Sequence, residues 1–184
     1  MAYLREHTQK PARGALAVPL AVSVALQLVA APQISLAGGA FNFLAAAVCA
    51  LAPGLEPPRA VLLGFSCGLA YDLTSTSPVG LMALLLTVTA FALSSATSGR
   101  ALGPTPDGIR LTAVAALAAQ LACGLALFLL GASSSFLTAV GVHGLATGLM
   151  TALAAAGLLF LAPRGESGRG FTAKGSGGTR FKGV

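Results

Sequence analysis

Between Gly14 and Leu161 the chain carries only six charged side chains, those of Glu56, Arg59, Asp72, Arg100, Asp107 and Arg110. A water-soluble surface cannot be assembled from so few. Soluble domains draw about a quarter of their residues from Asp, Glu, Lys and Arg, whereas this 184-residue chain has 9%. Its solvent is therefore largely lipid, and one compact membrane domain is the natural reading.

A helix rises about 1.5 Å per residue, so roughly 20 apolar residues cross a hydrocarbon core of about 30 Å. Six runs are candidates: Gly14–Ala31, Leu36–Pro53, Ala60–Leu73, Val79–Thr97, Ile109–Ala132 and Phe136–Leu161. The third is short. It begins nearer Pro58, tilts in a thinned region, or packs inside the bundle. The breaks carry turn chemistry: Pro32, the Pro53–Pro58 stretch, Ser75 to Pro78, Gly103 to Gly108, and the serines at 133–135.

Counting six spans with the N-terminus inside, segments 1–13, 54–59, 98–108 and 162–184 face the cytoplasm. They hold Arg5, Lys10, Arg13, Arg59, Arg100, Arg164, Arg169, Lys174, Arg180 and Lys182. The remaining cation, Arg110, sits at the inner mouth of the fifth span, and the three outer loops have none. So one-sided a split predicts both termini in the cytoplasm of a multi-pass plasma-membrane protein. The first 31 residues also have the outline of a signal peptide, but cleavage after Ala31 would leave Pro32 at the new terminus, so a retained first helix is the reading. The expected organisation is a cytoplasmic segment 1–13, a six-helix domain 14–162 and a disordered basic tail 163–184. That tail is too polar to fold alone and is suited to anionic lipid headgroups.

Several chemistries find no footing. Cys49, Cys67 and Cys123 lie in apolar runs without paired spacing, which reads as small buried side chains. His7 and His143 are the only histidines, too few for a metal cluster, and no phosphate-binding glycine loop occurs. The basic residues behind the net charge of +6 sit only between and beyond the apolar runs, so membrane topology accounts for them better than nucleic acid does. Gly64-Phe65-Ser66-Cys67-Gly68 matches the G-x-S-x-G elbow of serine hydrolases, with Asp72 and His143 following in order. That elbow needs a sharp strand-to-helix turn, and here it lies within a continuous apolar helix. Six residues along a helix, Ser66 and Asp72 point about 120° apart and differ by about 9 Å in height. No catalytic residue and no cofactor is expected.

The polar residues inside the runs are more telling, because a charge in the bilayer costs several kcal/mol. Gln27, Asn42, Asp72 and His143 fall at similar depth on the outer side, and Gln120 near mid-span. The four outer residues are candidates for a polar cluster or outward-facing cavity. Ala60, Gly64, Gly68 and Asp72 are spaced by four and share one helix stripe, whose glycines admit a neighbouring backbone. Gly144, Gly148 and Ala152 make a similar face in the sixth run. Asp72, the hydroxyls of Thr74, Ser75, Thr76 and Ser77, and a helix-starting Pro78 together describe a shaped outer hairpin. Its carboxylate either accepts hydrogen bonds that hold the hairpin or engages a partner.

The stretch Gly64-Phe65, Gly68-Leu69, Asp72-Leu73, Pro78, Gly80-Leu81 and Ala83-Leu84, with Phe91 beyond, resembles the MreD family of the bacterial rod-shape system. Gln27 and Asn42 also look like family features, while Phe41 stands where the family often has proline. The motif covers about 28 residues, and beyond it the likeness is one of length and hydropathy. The resemblance implies the six-helix fold of the substrate-binding subunits of energy-coupling-factor vitamin transporters, an all-α architecture. It implies a non-catalytic component of the cell-elongation machinery that supports peptidoglycan synthesis and cell shape. The implied partners are an MreC-like protein and, through it, a RodA-type polymerase, a class B penicillin-binding protein and the MreB cytoskeleton. Gly64, Gly68, Asp72, Pro78 and Gly80 become the structural or partner-binding residues. The alternative is a vitamin-binding transporter subunit, which a chain with no Trp and only Tyr3 and Tyr71 is poorly equipped to be.

Overall fold

The computed structural model describes residues 13–31, 33, 35–36, 39–75, 78–98, 100–132 and 135–162. The segment before Arg13 and the basic tail from Pro163 lie outside the described residues, as do Thr76 and Ser77 of the hairpin loop. Six α-helices follow one another: α1 (Arg13–Val29), α2 (Phe43–Leu51), α3 (Pro57–Thr74), α4 (Leu81–Thr97), α5 (Pro106–Leu129) and α6 (Thr147–Leu161). A 3-10 turn, Ala52–Gly54, prolongs α2, and a π-helical segment, Thr138–Ala146, leads into α6. The all-α expectation holds with one addition. Two-residue strands, β1 (Ser35–Leu36) and β2 (Gly39–Ala40), pair antiparallel with Ser35 opposite Ala40.

By length and composition, two described stretches suffice to cross a membrane, Pro106–Leu129 and Thr138–Leu161. Leu16–Val29, Phe43–Gly54 and Leu81–Thr97 are apolar but shorter. α3 has 18 residues, with Arg59 near one end and Asp72 near the other. Both α3 and α5 start three residues earlier than the apolar runs suggested. Pro57 and Pro106 open these helices, because a ring that fixes φ and lacks an N–H suits a first turn whose amides have no helical partner.

The second run, 36–53, is not one helix. Gly38 and Gly39 are poor helix formers, and Asn42 competes for the backbone: its Oδ1 accepts from Ala45 N at 2.9 Å and starts α2 there. What remains is a short helix buried on every side. Leu44 through Ala52 are all essentially inaccessible, and α2 touches each of the other five helices. Ala45, Ala46, Ala47 and Ala50 supply methyl groups only, so the surrounding helices pack close to its axis. At its far end the hydroxyls of α4 take over the carbonyls that the helix leaves free. Ser94 Oγ donates to Leu55 O, and Thr97 Oγ1 donates to Pro53 O at 3.0 Å.

α3 and α4 form the most intimate pair. A Cβ on Gly64 would strike the Leu86 carbonyl, and one on Gly68 would strike the Ala83 backbone. α5 and α6 meet through a second set of small residues. Gly124 lies against the Ala139 carbonyl, Gly144 against Leu121, and Gly148 against Leu117 and Gln120. The β-hairpin docks on the junction between the π segment and α6. There Gly39 abuts Ala146 and Thr147, and Ala40 N donates to Thr147 Oγ1 at 3.4 Å. The same hydroxyl donates to Val142 O, five residues back, at 3.2 Å.

Candidate functional site

α3 carries its carboxylate in the third position from its C-terminal end, where the chain is about to turn into α4. Asp72 is 1% exposed. Its Oδ2 accepts from Gly80 N at 2.9 Å and Ala83 N at 3.1 Å, and its Oδ1 accepts from Met82 N at 3.2 Å. The first turn of any helix has amides without helical acceptors, and the dipole there favours negative charge. Asp72 answers both needs of α4 from across the helix pair. Gly80, at the N-cap position, has no side chain with which to cap α4.

The glycines and the proline of the motif shape this contact and its turn. Gly64 and Gly68 bring the α4 backbone within reach of α3. Pro78 O accepts from Leu81 N at 3.3 Å. Gly80, at φ +95°, occupies the left-handed region that bends the chain into α4 and aims its amide at Asp72. Thr74 Oγ1 donates to Ala70 O and Tyr71 O, so it serves its own helix. Ser66 is exposed in the middle of α3, whereas Asp72 is buried against α4 with both oxygens engaged. A carboxylate so committed is not oriented to assist Ser66.

Gln27 and Asn42 are brought together at the start of α2. Gln27 Oε1 accepts from Phe43 N at 2.8 Å, beside the Asn42 cap on Ala45. Phe41 and Phe43 stack over this start, ring centroids 5.2 Å apart. None of the described hydrogen bonds of Asp72 reaches Gln27 or Asn42; it has its own helix end to serve. His143 lies in the π segment. Gln120 is buried on α5 next to Gly148. Among the described residues, Asn42 Nδ2 and Gln120 Nε2 are buried donors without an acceptor, a condition that costs about 1–3 kcal/mol per group.

Sequence reasoning missed the hydroxyls. Thr147, Ser94 and Thr97 anchor distant backbone, and each lies in an apolar run where a lone Ser or Thr draws no notice. A usable signal exists in Ser94 and Thr97, spaced by three at the end of a run and so on one helix face. The sulfurs of Cys49, Cys67 and Cys123 are buried free thiols. Among the described residues no group of His, Cys, Asp and Glu is placed to hold a metal ion. Among the described residues the arrangement is chemically a set of acceptors aimed at helix starts. No family model, curated protein or solved structure matches the chain.

Proposed function

We propose that the chain is a non-catalytic, multi-pass plasma-membrane protein of the MreD kind, a component of the cell-elongation complex that acts by association with an MreC-like partner. The observation that carries this reading is the α3–α4 lock. Four residues of the resembling stretch, Gly64, Gly68, Asp72 and Gly80, are joined in a single helix-to-helix fastening. A motif whose charge is consumed by backbone amides belongs to a scaffold that presents a fixed shape.

In this reading all six apolar segments cross the bilayer, both termini are cytoplasmic, and the fold is that of the energy-coupling-factor substrate-binding subunits. The β-hairpin, α2 and the 3-10 turn together make the second crossing. Irregular backbone at that depth is tolerated where protein encloses it, as at Gly39, Asn42 and Ala52–Pro53. The RodA-type polymerase, the class B penicillin-binding protein and MreB are reached through the MreC-like partner.

Affinity purification of the tagged chain from its own cells tests this. Recovery of an MreC-like single-span protein, together with cell rounding on depletion, supports the assignment. Recovery of an ATPase cassette with a transmembrane coupling subunit replaces it with the transporter reading.

A further inference from the structure

The backbone leading into α6 departs from α geometry over nine residues, Thr138–Ala146. π-helical stretches are mostly single turns, and they occur frequently at functional sites. The residues of this segment do not forbid α geometry. It holds no proline, and α-helix continues from Thr147 without a break. Its glycines, Gly141 and Gly144, permit either form. The wider turn is therefore held by contacts, and two neighbours supply them.

One is α5. Gly124 lies against Ala139 O and Gly144 N, a carbonyl and an amide five residues apart, the spacing that a π turn pairs. The other is the β-hairpin, through a relay of hydrogen bonds. Ala40 N donates to Thr147 Oγ1 at 3.4 Å, and that hydroxyl donates its own proton to Val142 O at 3.2 Å. The Thr147 amide reaches the same carbonyl. The rest of the bundle behaves differently. Thr74, Thr87, Thr89, Thr97, Thr112 and Thr151 each donate to the carbonyl four residues back, whereas Thr147 reaches back five. With the hairpin amide on its oxygen, the Thr147 hydroxyl directs its proton away from the hairpin and onto the π acceptor. Gly39, wedged against Ala146 and Thr147, seats the hairpin there.

We infer that the hairpin is the catch of a register switch. Docked, it holds residues 138–146 in the π form. Withdrawn, it lets the Thr147 hydroxyl return to the carbonyl four residues back and the segment return to α geometry. A change of one residue position on an α-helix is a turn of about 100°, so Phe136 and Leu137 swing by that much about the axis of α6. Phe136 then leaves its edge-on contact with Phe128, ring centroids 5.4 Å apart, and the exposed Leu137 faces a new direction. A ligand or partner that draws the α1–α2 connection away thus re-aims the α5–α6 connection, and one that grips the second loosens the first. The switch belongs to the fold itself and is independent of the function proposed above.

Spin labels on Leu137→Cys and Leu153→Cys, both at exposed positions, read the register as a distance in the detergent-solubilised full chain. The buried Cys49, Cys67 and Cys123 are replaced by alanine. In unbroken α-helix the interval from 137 to 153 spans about 24 Å. A π turn uses more residues for one turn, so the docked form holds the pair closer. Thr147→Val removes the relay, and Gly39→Ala puts a methyl group where the hairpin touches Ala146 and Thr147. Both are expected to lengthen the distance toward the α-helical value, and Gly39→Ala decides alone if Thr147→Val does not assemble. Thr147→Ser, which keeps the hydroxyl, is expected to keep the short distance. A short distance retained in Thr147→Val or Gly39→Ala means that α5 fixes the register unaided, which overturns the inference. A long distance in Thr147→Ser, or already in the natural chain, overturns it as well.

Discussion

Asp72 illustrates how a charge becomes tolerable inside an apolar body. Its negative charge is spread over three amide donors, each of which gains an acceptor across the helix pair. Hydrogen bonds to a charged group contribute roughly 1.5–3 kcal/mol each. Asp72→Ala is therefore expected to lower the unfolding free energy by about 3 kcal/mol or more. Asp72→Asn, which keeps one acceptor oxygen, should fall between it and the natural protein; chemical denaturation in detergent reads both. Gly80→Ala meets open space but a strained φ, so it should cost about 1–2 kcal/mol in the same assay. The importance of Asp72 was legible in the sequence, as the one carboxylate within the apolar runs. Its three acceptor contacts were not, because they depend on the amides of a helix eight to eleven residues away.

At the scale of elements, the two buried helix starts share a solution. Gln27 is the third residue from the end of α1 and accepts from the first amide of α2; Asp72 is the third from the end of α3 and accepts from the start of α4. In each case the preceding helix supplies the cap, which fixes the angle between the two. The contact face obeys the same economy of space. Gly68→Ala forces α3 off α4 and should destabilise by about 2 kcal/mol or more. Gly157→Ala meets nothing within contact distance and should be neutral or stabilising by up to about 1 kcal/mol. Ser98 ends α4 at φ 52°, where a side chain is strained, so Ser98→Gly should raise the melting temperature. Most helices could be read from hydrophobic runs and their proline breaks. The β-hairpin could not, since a short apolar stretch has no period that separates a two-residue strand from helix. Nor could the π segment, which lies against α5 at Gly124 in a contact between residues far apart in the chain.

For the whole molecule, the lysines and arginines order the ends and the small residues set the density. The orientation proposed above predicts that alkaline phosphatase fused after Gly131 is active, whereas a fusion after Gly54 is inactive and its fluorescent-protein counterpart bright; the reverse pattern would sink it. That proposed layout rests on charge placement alone. The interior arrangement was not legible in the sequence, because six runs of similar hydropathy do not announce which will be the middle one. The answer, a short α2 lined with methyl groups and enclosed by five neighbours, carries its own consequence. A segment with no free side has no direction in which to grow. In a deep mutational scan, positions 44–52 should form one unbroken block that rejects any side chain larger than the native one, while the exposed flanks of α4 and α6 drift freely among bulky residues.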